Sequence, residues 1–434
     1  MTDAAEAWDE RPASEPPPES VDDPPDAWRA YLRLDAKGKP TRSFANLCTI
    51  IEGLYGHRLS YDEMAVTPCL DGVAMKDTDF GRIRRNIEVR EDLPFAADNI
   101  REAVSMAAFE RRFHPVQRYL RSLRWDGARR VDRMAALYLG APDPLSARMV
   151  RNWMIAAIAR ALEPGCKVDN VLVLLSPRQG LKKSMFFDVL GGAWYVDSKI
   201  DIGDRKGLLT LHSAWIYEWP EVDHVMARKL DSEIKAFVSQ RVDNFVPPYG
   251  RGSVTVPRSC ILGGTTNEEH FLRDPTGSRR WWIVRVAGKI PVSQLRRERD
   301  QLWAEALELY DCFRRDQAQG VEDDDNPCRW WLSDAEEAER ERRAESHYAP
   351  DPWEETIGKW LRGEPIRCNA CAGTGTRGGG ESPPPCNACR GTGHHKAPAA
   401  HEDRTGRGFR TQAEVLQGAL QMPPERHSGA SARV

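Results

Sequence analysis

The chain has 434 residues, enough for about two to three domains, and its charges nearly balance at a net -3. That balance excludes a uniformly basic nucleic-acid coat, so any contact with DNA has to come from local patches. No run of about 18 apolar residues occurs, which excludes an expected membrane span. Met1-Thr-Asp-Ala-Ala-Glu lacks the charged-then-apolar layout of a signal peptide. Of ten cysteines, four form two C-x-x-C pairs and the rest are scattered through apolar or helical text. Metal binding rather than disulfide bonding is the expectation, and a cytoplasmic location with it.

Residues 1–27 are rich in Pro, Asp and Glu and bury too little to fold alone. Residues 28–112 read as a small helical region, because Ser43-Phe-Ala-Asn-Leu-Cys-Thr-Ile-Ile-Glu-Gly has helical spacing and ends in glycine. Helices are expected over about 130–140 and 144–163. From 170 to 290 apolar strands (171–175, 214–218, 260–264, 281–286) alternate with helices near 183–190 and 224–239. Such alternation predicts an α/β domain with a mainly parallel sheet over 113–290. Trp153, Trp194 and Trp215 lie in apolar text and are expected in its core. Residues 291–362 read as a helical extension, 363–396 as a metal module and 397–434 as a linker and end piece with a short helix at 411–420.

The most informative stretch is Val171-Leu-Val-Leu-Leu-Ser-Pro-Arg-Gln-Gly-Leu-Lys-Lys-Ser184-Met-Phe-Phe. A buried strand, a short turn and a helix opening with Lys-Ser make the layout of a phosphate-binding loop. Gln179, Gly180, Lys182, Lys183 and Ser184 are the candidate nucleotide contacts. In the usual G-x-x-x-x-G-K-[ST] spacing, glycines stand where this chain has Pro177 and Lys182. An ordinary helix start with a serine cap would read the same locally, so the weight falls on three later features. Ala214-Trp-Ile-Tyr-Glu-Trp-Pro-Glu221 ends a strand in carboxylates, and Glu218 and Glu221 are candidates for the hydrated metal and the attacking water. Ser259-Cys-Ile-Leu-Gly-Gly-Thr-Thr-Asn267 carries Asn267 at a strand tip, where ligands of open α/β sheets bind. Arg279 and Arg280 precede a further apolar strand and are candidates for stabilising phosphoryl-transfer charge from a neighbouring subunit.

Between the acidic strand and the Asn267 strand, a helix leads into an apolar/polar hairpin with its turn at Tyr249-Gly-Arg-Gly-Ser. Lys235, Arg241, Tyr249, Arg251 and Arg258 mix cations with an aromatic, which suits a sequence-blind single strand of DNA. A surface hairpin with solubilising charges is the plainer alternative. Cys368-Asn-Ala-Cys371-Ala-Gly-Thr-Gly and Cys386-Asn-Ala-Cys389-Arg-Gly-Thr-Gly repeat internally, and four thiolates in two knuckles suit one tetrahedral, structural zinc.

The ordered set resembles the virulence-associated protein E family of phage and mobile elements, itself similar to superfamily 3 helicases of the AAA+ class. The resemblance rests on Tyr119-Leu-x-x-Leu-x-Trp-Asp-Gly, Glu163-Pro-Gly-Cys-Lys, Gln179-Gly-x-x-Lys-Ser, Pro247-Pro-Tyr-Gly-Arg, Gly264-Thr-Thr-Asn and Phe271-Leu-x-Asp-x-x-Gly-x-Arg-Arg. It implies an α/β P-loop core with ATP and Mg2+ at Lys183 and Ser184. Glu218 and Glu221 then form the acidic site, Asn267 the sensor, and Arg279 or Arg280 the finger. It also implies a hexameric ring with the hairpin in its pore, and a DNA helicase-like ATPase for element replication. No primase domain is visible, so priming would come from a separate protein. The C-x-x-C-x-G-x-G repeats resemble the zinc repeats of DnaJ-type chaperones. The segment from Thr411 resembles the start of a winged-helix module that then breaks off. The rival expectation is a hydrolysis-deficient DNA- or protein-binding module on the same fold.

Overall fold

In the computed structural model the described residues are 26–197, 205–228, 231–246, 252–273, 275–349 and 354–362, with scattered residues from there to 421. They divide into two units, 1–348 and 349–434.

The first unit begins with α1 (Phe44–Tyr55), whose Ser43 cap accepts the Asn46 N–H. Strands β1 (Leu59–Asp62), β2 (Thr67–Leu70) and β3 (Val73–Ala74) follow, then α2 (Asp77–Glu91), α3 (Ala97–Phe109) and β4 (Arg112–Phe113). The order β3-β2-β1-β4 makes a small sheet, so this region is not purely helical as its spacing suggested. Its core is Leu47, Ile50, Ile51, Ile83, Ile87, Ile100 and Val104. Helix α4 (Pro115–Ser122) and one π-helical turn, Ala135–Leu139, lead to α5 (Pro144–Leu162). Asp143 caps α5 and almost every side chain of this helix is buried, as befits a helix inside the domain.

The remaining elements are β5 (Val171–Leu175), α6 (Lys183–Gly191), β6 (Tyr195–Val196), α7 (Arg205–His212), β7 (Ile216–Trp219), α8 (Val222–Arg228), α9 (Asp231–Ser239), β8 (Val242–Phe245), β9 (Val254–Pro257), β10 (Ile261–Thr266), β11 (Trp281–Arg285), α10 (Val292–Ala318) and α11 (Asp334–Glu345). The helix expected over 224–239 is thus two helices. A five-stranded, wholly parallel sheet runs β11-β5-β10-β7-β6. Leu172, Leu174, Trp282 and Val284 face α5, α6 and α10, with Trp153, Phe186, Phe187 and Trp303 in the same core. Val171, Val173, Tyr217, Trp219 and Trp281 face the other layer with Phe237 and Ile234. Trp153 and Trp215 are fully buried, as expected, and Trp194 is half-buried.

Helices on both faces explain the glycine pair in β10. A Cβ at Gly263 would stand 2.6 Å from the Phe187 ring, and one at Gly264 would stand 2.4 Å from a Val222 methyl. Both layers therefore approach β10 more closely than any side chain permits.

In the second unit, α12 (Glu354–Leu361) precedes β12 (Ile366–Arg367), which pairs antiparallel with β13 (His394–His395). The expected helix at 411–420 lies outside the described residues. Among the described residues no helix is long and apolar enough to cross a membrane.

Candidate nucleotide site

Strands β5, β10 and β7 end at the same edge of the sheet, and their carboxyl ends bring together what the sequence scattered. The chain leaves β5 at Ser176 and turns through an exposed loop. Gly180 is left-handed there (φ +78°), and so is Lys182 (φ 65°, ψ 35°), directly before α6. Lys182 thus keeps the backbone shape that the glycine of the usual loop favours. Gln179 and Lys182 are exposed, while Lys183 and Ser184 are partly buried.

Lys183 reaches back across the strand ends. Its Nζ donates to the Ser176 carbonyl at 3.1 Å, the Thr266 carbonyl at 2.8 Å and Asn267 Oδ1 at 2.6 Å. Burial pulls its pKa below the usual lysine value, against the pull of Asp223 and Glu218. Ser184, at the first turn of α6, donates to Glu218 Oε1 at 2.7 Å. Thr265 donates to the same oxygen at 2.8 Å, and Tyr195 to Oε2 at 2.6 Å. Glu218 is fully buried. Burial raises its pKa, while the three hydroxyl donors favour its charged form. A buried carboxylate beside the hydroxyl that opens a helix can orient a hydrated divalent cation. The ammonium and the loop suit a phosphate.

Glu221 is placed differently. It is left-handed (φ 55°), largely exposed, and paired with His224 at 2.9 Å rather than with Lys183 or Ser184. Asp223, which the sequence did not single out, lies deeper: its Oδ1 accepts the Thr266 hydroxyl at 2.7 Å, and its charge acts on Lys183. Tyr195 and Thr265 were missed as well. Their only signal was proximity in the folded sheet, although Thr265 lies inside the Gly264-Thr-Thr-Asn267 string.

Arg279 and Arg280 are far from this edge. They end a short 3-10 helix just before β11, and Trp281 pairs with Val171 at the amino end of the sheet. A five-residue strand spans roughly 16 Å, so neither guanidinium is beside Lys183 of its own chain. Arg279 is exposed. Arg280 is half-buried, bonded to Ser239 Oγ at 3.0 Å, and its pKa is pulled down by burial and then by Arg279.

The hairpin is β8 paired antiparallel with β9, from Val242↔Pro257 to Phe245↔Val254. Tyr249 and Arg251 lie outside the described residues. Lys235 is half-buried on α9. Arg258 is no surface cation, since it is 2% exposed and bonded to Asp243 at 2.6 and 2.9 Å. Arg241 donates to the Gly165 carbonyl at 2.5 Å. Cys368 and Cys371 are buried, and Cys386 and Cys389 lie outside the described residues. Thr376 forms an isolated antiparallel bridge with Pro385, the residue before Cys386.

A family model for the virulence-associated protein E-like domain matches residues 120–349, more than half of the chain. The chain belongs to that family. Its matched stretch contains the whole five-stranded sheet and every residue of the site just described. Comparison with curated proteins finds no match. Among solved structures, two of the NrS-1 C-terminal region, both apo A forms, are similar at 12% identity, with TM-scores of 0.35 and 0.33. The matches cover 56% of this chain and 57% and 56% of those chains, so the chain spans little more than half of each.

Proposed function

We propose that this virulence-associated protein E-like chain is a magnesium-dependent ATP hydrolase of the helicase type, acting on DNA during replication of a phage or mobile element. The observation that carries the reading is the convergence of Lys183, Ser184, Glu218 and Asn267 at one sheet edge. Lys183 binds the phosphates, freed from its three oxygen partners when they arrive. Ser184 and Glu218 hold the magnesium, which supplies charge neutralisation on phosphate oxygens. Both Glu218 oxygens are occupied by hydroxyl donors, so its role is to orient rather than to take a proton. Asn267 senses the γ-phosphate. The second acid is Asp223 by proximity to Lys183, with Glu221 the weaker choice. Arg279 or Arg280 completes the site of an adjacent subunit in a ring, and the β8–β9 hairpin with Lys235, Tyr249 and Arg251 holds single-stranded DNA.

The deciding experiment is ATP hydrolysis with and without single-stranded DNA, for the wild type and Lys183→Ala. Turnover that DNA stimulates and the substitution abolishes is expected. DNA binding without turnover in the wild type would overturn the reading and leave a binding module on a motor fold. Within the same assay, Asp223→Asn should lower turnover about tenfold or more and Glu221→Gln much less, as removal of a positioned acid does. The reverse ranking would return the role to Glu221.

The two C-x-x-C pairs are proposed to hold one structural zinc, supported by burial of the first pair and by the pairings of Ile366–Arg367 with His394–His395 and of Thr376 with Pro385. Metal analysis of the purified chain should return one zinc, lost in Cys386→Ser. A metal-free wild type would exclude it.

A further inference from the structure

The near-neutral chain does not spread its charge evenly. Residues 119–139 lie along α10. Gln301 accepts the Asp126 N–H and donates to the Arg124 carbonyl, both at 3.0 Å. Glu305 accepts the Arg130 and Val131 N–H groups at 2.5 and 2.9 Å. The two segments therefore present one surface. Arg121, Arg124, Arg129 and Arg133 of the first segment, and Arg296 and Arg297 of α10, are all exposed. Among the described residues none of these six forms an ion pair.

The acids of the same surface are all engaged. Asp126 pairs with Arg130 at 2.7 Å and Asp132 with Arg151 at 3.1 Å. Glu298 accepts from Tyr138 at 2.7 Å, Asp300 from Tyr119 at 2.6 Å, and Glu305 is taken by the backbone. Asp126, Asp132 and Asp300 are exposed, but each of these five carboxylates already has a partner, whereas among the described residues none of the six guanidiniums has an acidic one. The signs are interspersed, as on a solubilising surface, but here the pairing leaves an excess of arginines with no acidic partner, the footprint of a backbone-binding patch. Among the described residues this face shows no fully exposed aromatic. Tyr138 is buried, Tyr119 and Trp125 are half-buried, and the Trp125 indole N–H is bonded to the Ala128 carbonyl at 3.1 Å. Cations without an exposed aromatic fit a phosphate backbone whose bases are already stacked.

We propose that this arginine face binds the backbone of duplex DNA without sequence preference. It is distinct from the nucleotide site and from the hairpin, and it does not depend on ATP hydrolysis.

The test is fluorescence anisotropy of a labelled DNA duplex with the full chain, without nucleotide, over a range of salt. The variants are Arg124→Ala/Arg129→Ala/Arg297→Ala and the corresponding triple lysine variant. Each lost phosphate contact should flatten the plot of log K against log salt by roughly 0.9, so the alanine triple should lose about 2 to 3 in slope and at least about tenfold in affinity. The lysine triple keeps the charge and should stay within about threefold of wild type. Circular dichroism and thermal melting of both triples establish that each is folded. An unchanged slope in the folded alanine triple overturns the proposal. So does a loss confined to a single-stranded dT oligonucleotide, and so does a face that binds polyglutamate but not duplex, which would mark an acidic protein partner.

Discussion

Lys182 holds a left-handed backbone with a full side chain, at the position where the usual phosphate loop has glycine. For a residue with a Cβ that conformation costs about 1–2 kcal/mol. The sequence alone reads as a damaged loop; the backbone shows that the shape is kept and the strain accepted. Lys182→Gly should relieve it. Glycine also gains about 0.5–1 kcal/mol of freedom in the unfolded chain, so the net gain expected is about 0.5–1 kcal/mol. Urea unfolding followed by tryptophan fluorescence reads this as a higher midpoint at unchanged slope. A lower midpoint would mean that the Lys182 side chain contributes more than its backbone costs. The same scale shows what the sequence hid. Lys183, Ser184 and Asn267 stand in recognisable strings, whereas Tyr195 and Asp223 reach the site only through the strand order.

Among the elements, legibility followed length and apolar content. Strand β5 is a continuous apolar run, and β7, β10 and β11 are mostly apolar, because a parallel sheet covered on both faces buries nearly every side chain. Strands β1 to β4 have two to four residues each, too short for alternation to emerge, so the N-terminal region read as helical. The hairpin was legible as a pairing but not in its facing. Arg258 looked like a DNA cation, yet it turns inward to Asp243, which also meets His212 of α7 at 3.1 Å. A strand has two faces, and only the distant partner decides which is solvated. This buried triad fastens the hairpin base to the domain. Burial alone would push the Asp243 carboxyl up, but the hydrogen bonds from Arg258 and His212 outweigh it and hold it down at about 2. Its folded pKa is below the ordinary 3.8, so the stability it contributes is present above about pH 4 and is lost as pH falls toward about 2. Asp243→Ala leaves Arg258 buried without its partner and should cost about 3–5 kcal/mol. It should also flatten the acid limb of stability against pH, measured by denaturant midpoints between pH 2 and 5. An acid limb identical to wild type would remove Asp243 from that role.

At the scale of the molecule, the position of Arg279 and Arg280 decides whether one chain can hold a complete site. Lys183 stands at the carboxyl edge of the sheet and the two arginines at the amino edge, so a single subunit cannot bring them to one phosphate. If the arginine serves a neighbour, catalysis belongs to the interface between copies, and a heterologous ring gives every subunit both roles. Mixing separates the two arrangements without any structure of the ring. Lys183→Ala keeps the arginine and loses the phosphate site; Arg279→Ala/Arg280→Ala keeps the phosphate site and loses the arginine. Each alone should be inactive. In an equimolar mixture that exchanges subunits freely, half the subunits carry Lys183 and half of their donating neighbours carry the arginines, so about a quarter of the sites are whole and about a quarter of wild-type turnover returns. An arginine acting within its own chain predicts no recovery at any ratio, because no subunit in the mixture holds both. Recovery that vanishes on dilution, and returns at higher protein concentration, would tie the activity to assembly itself.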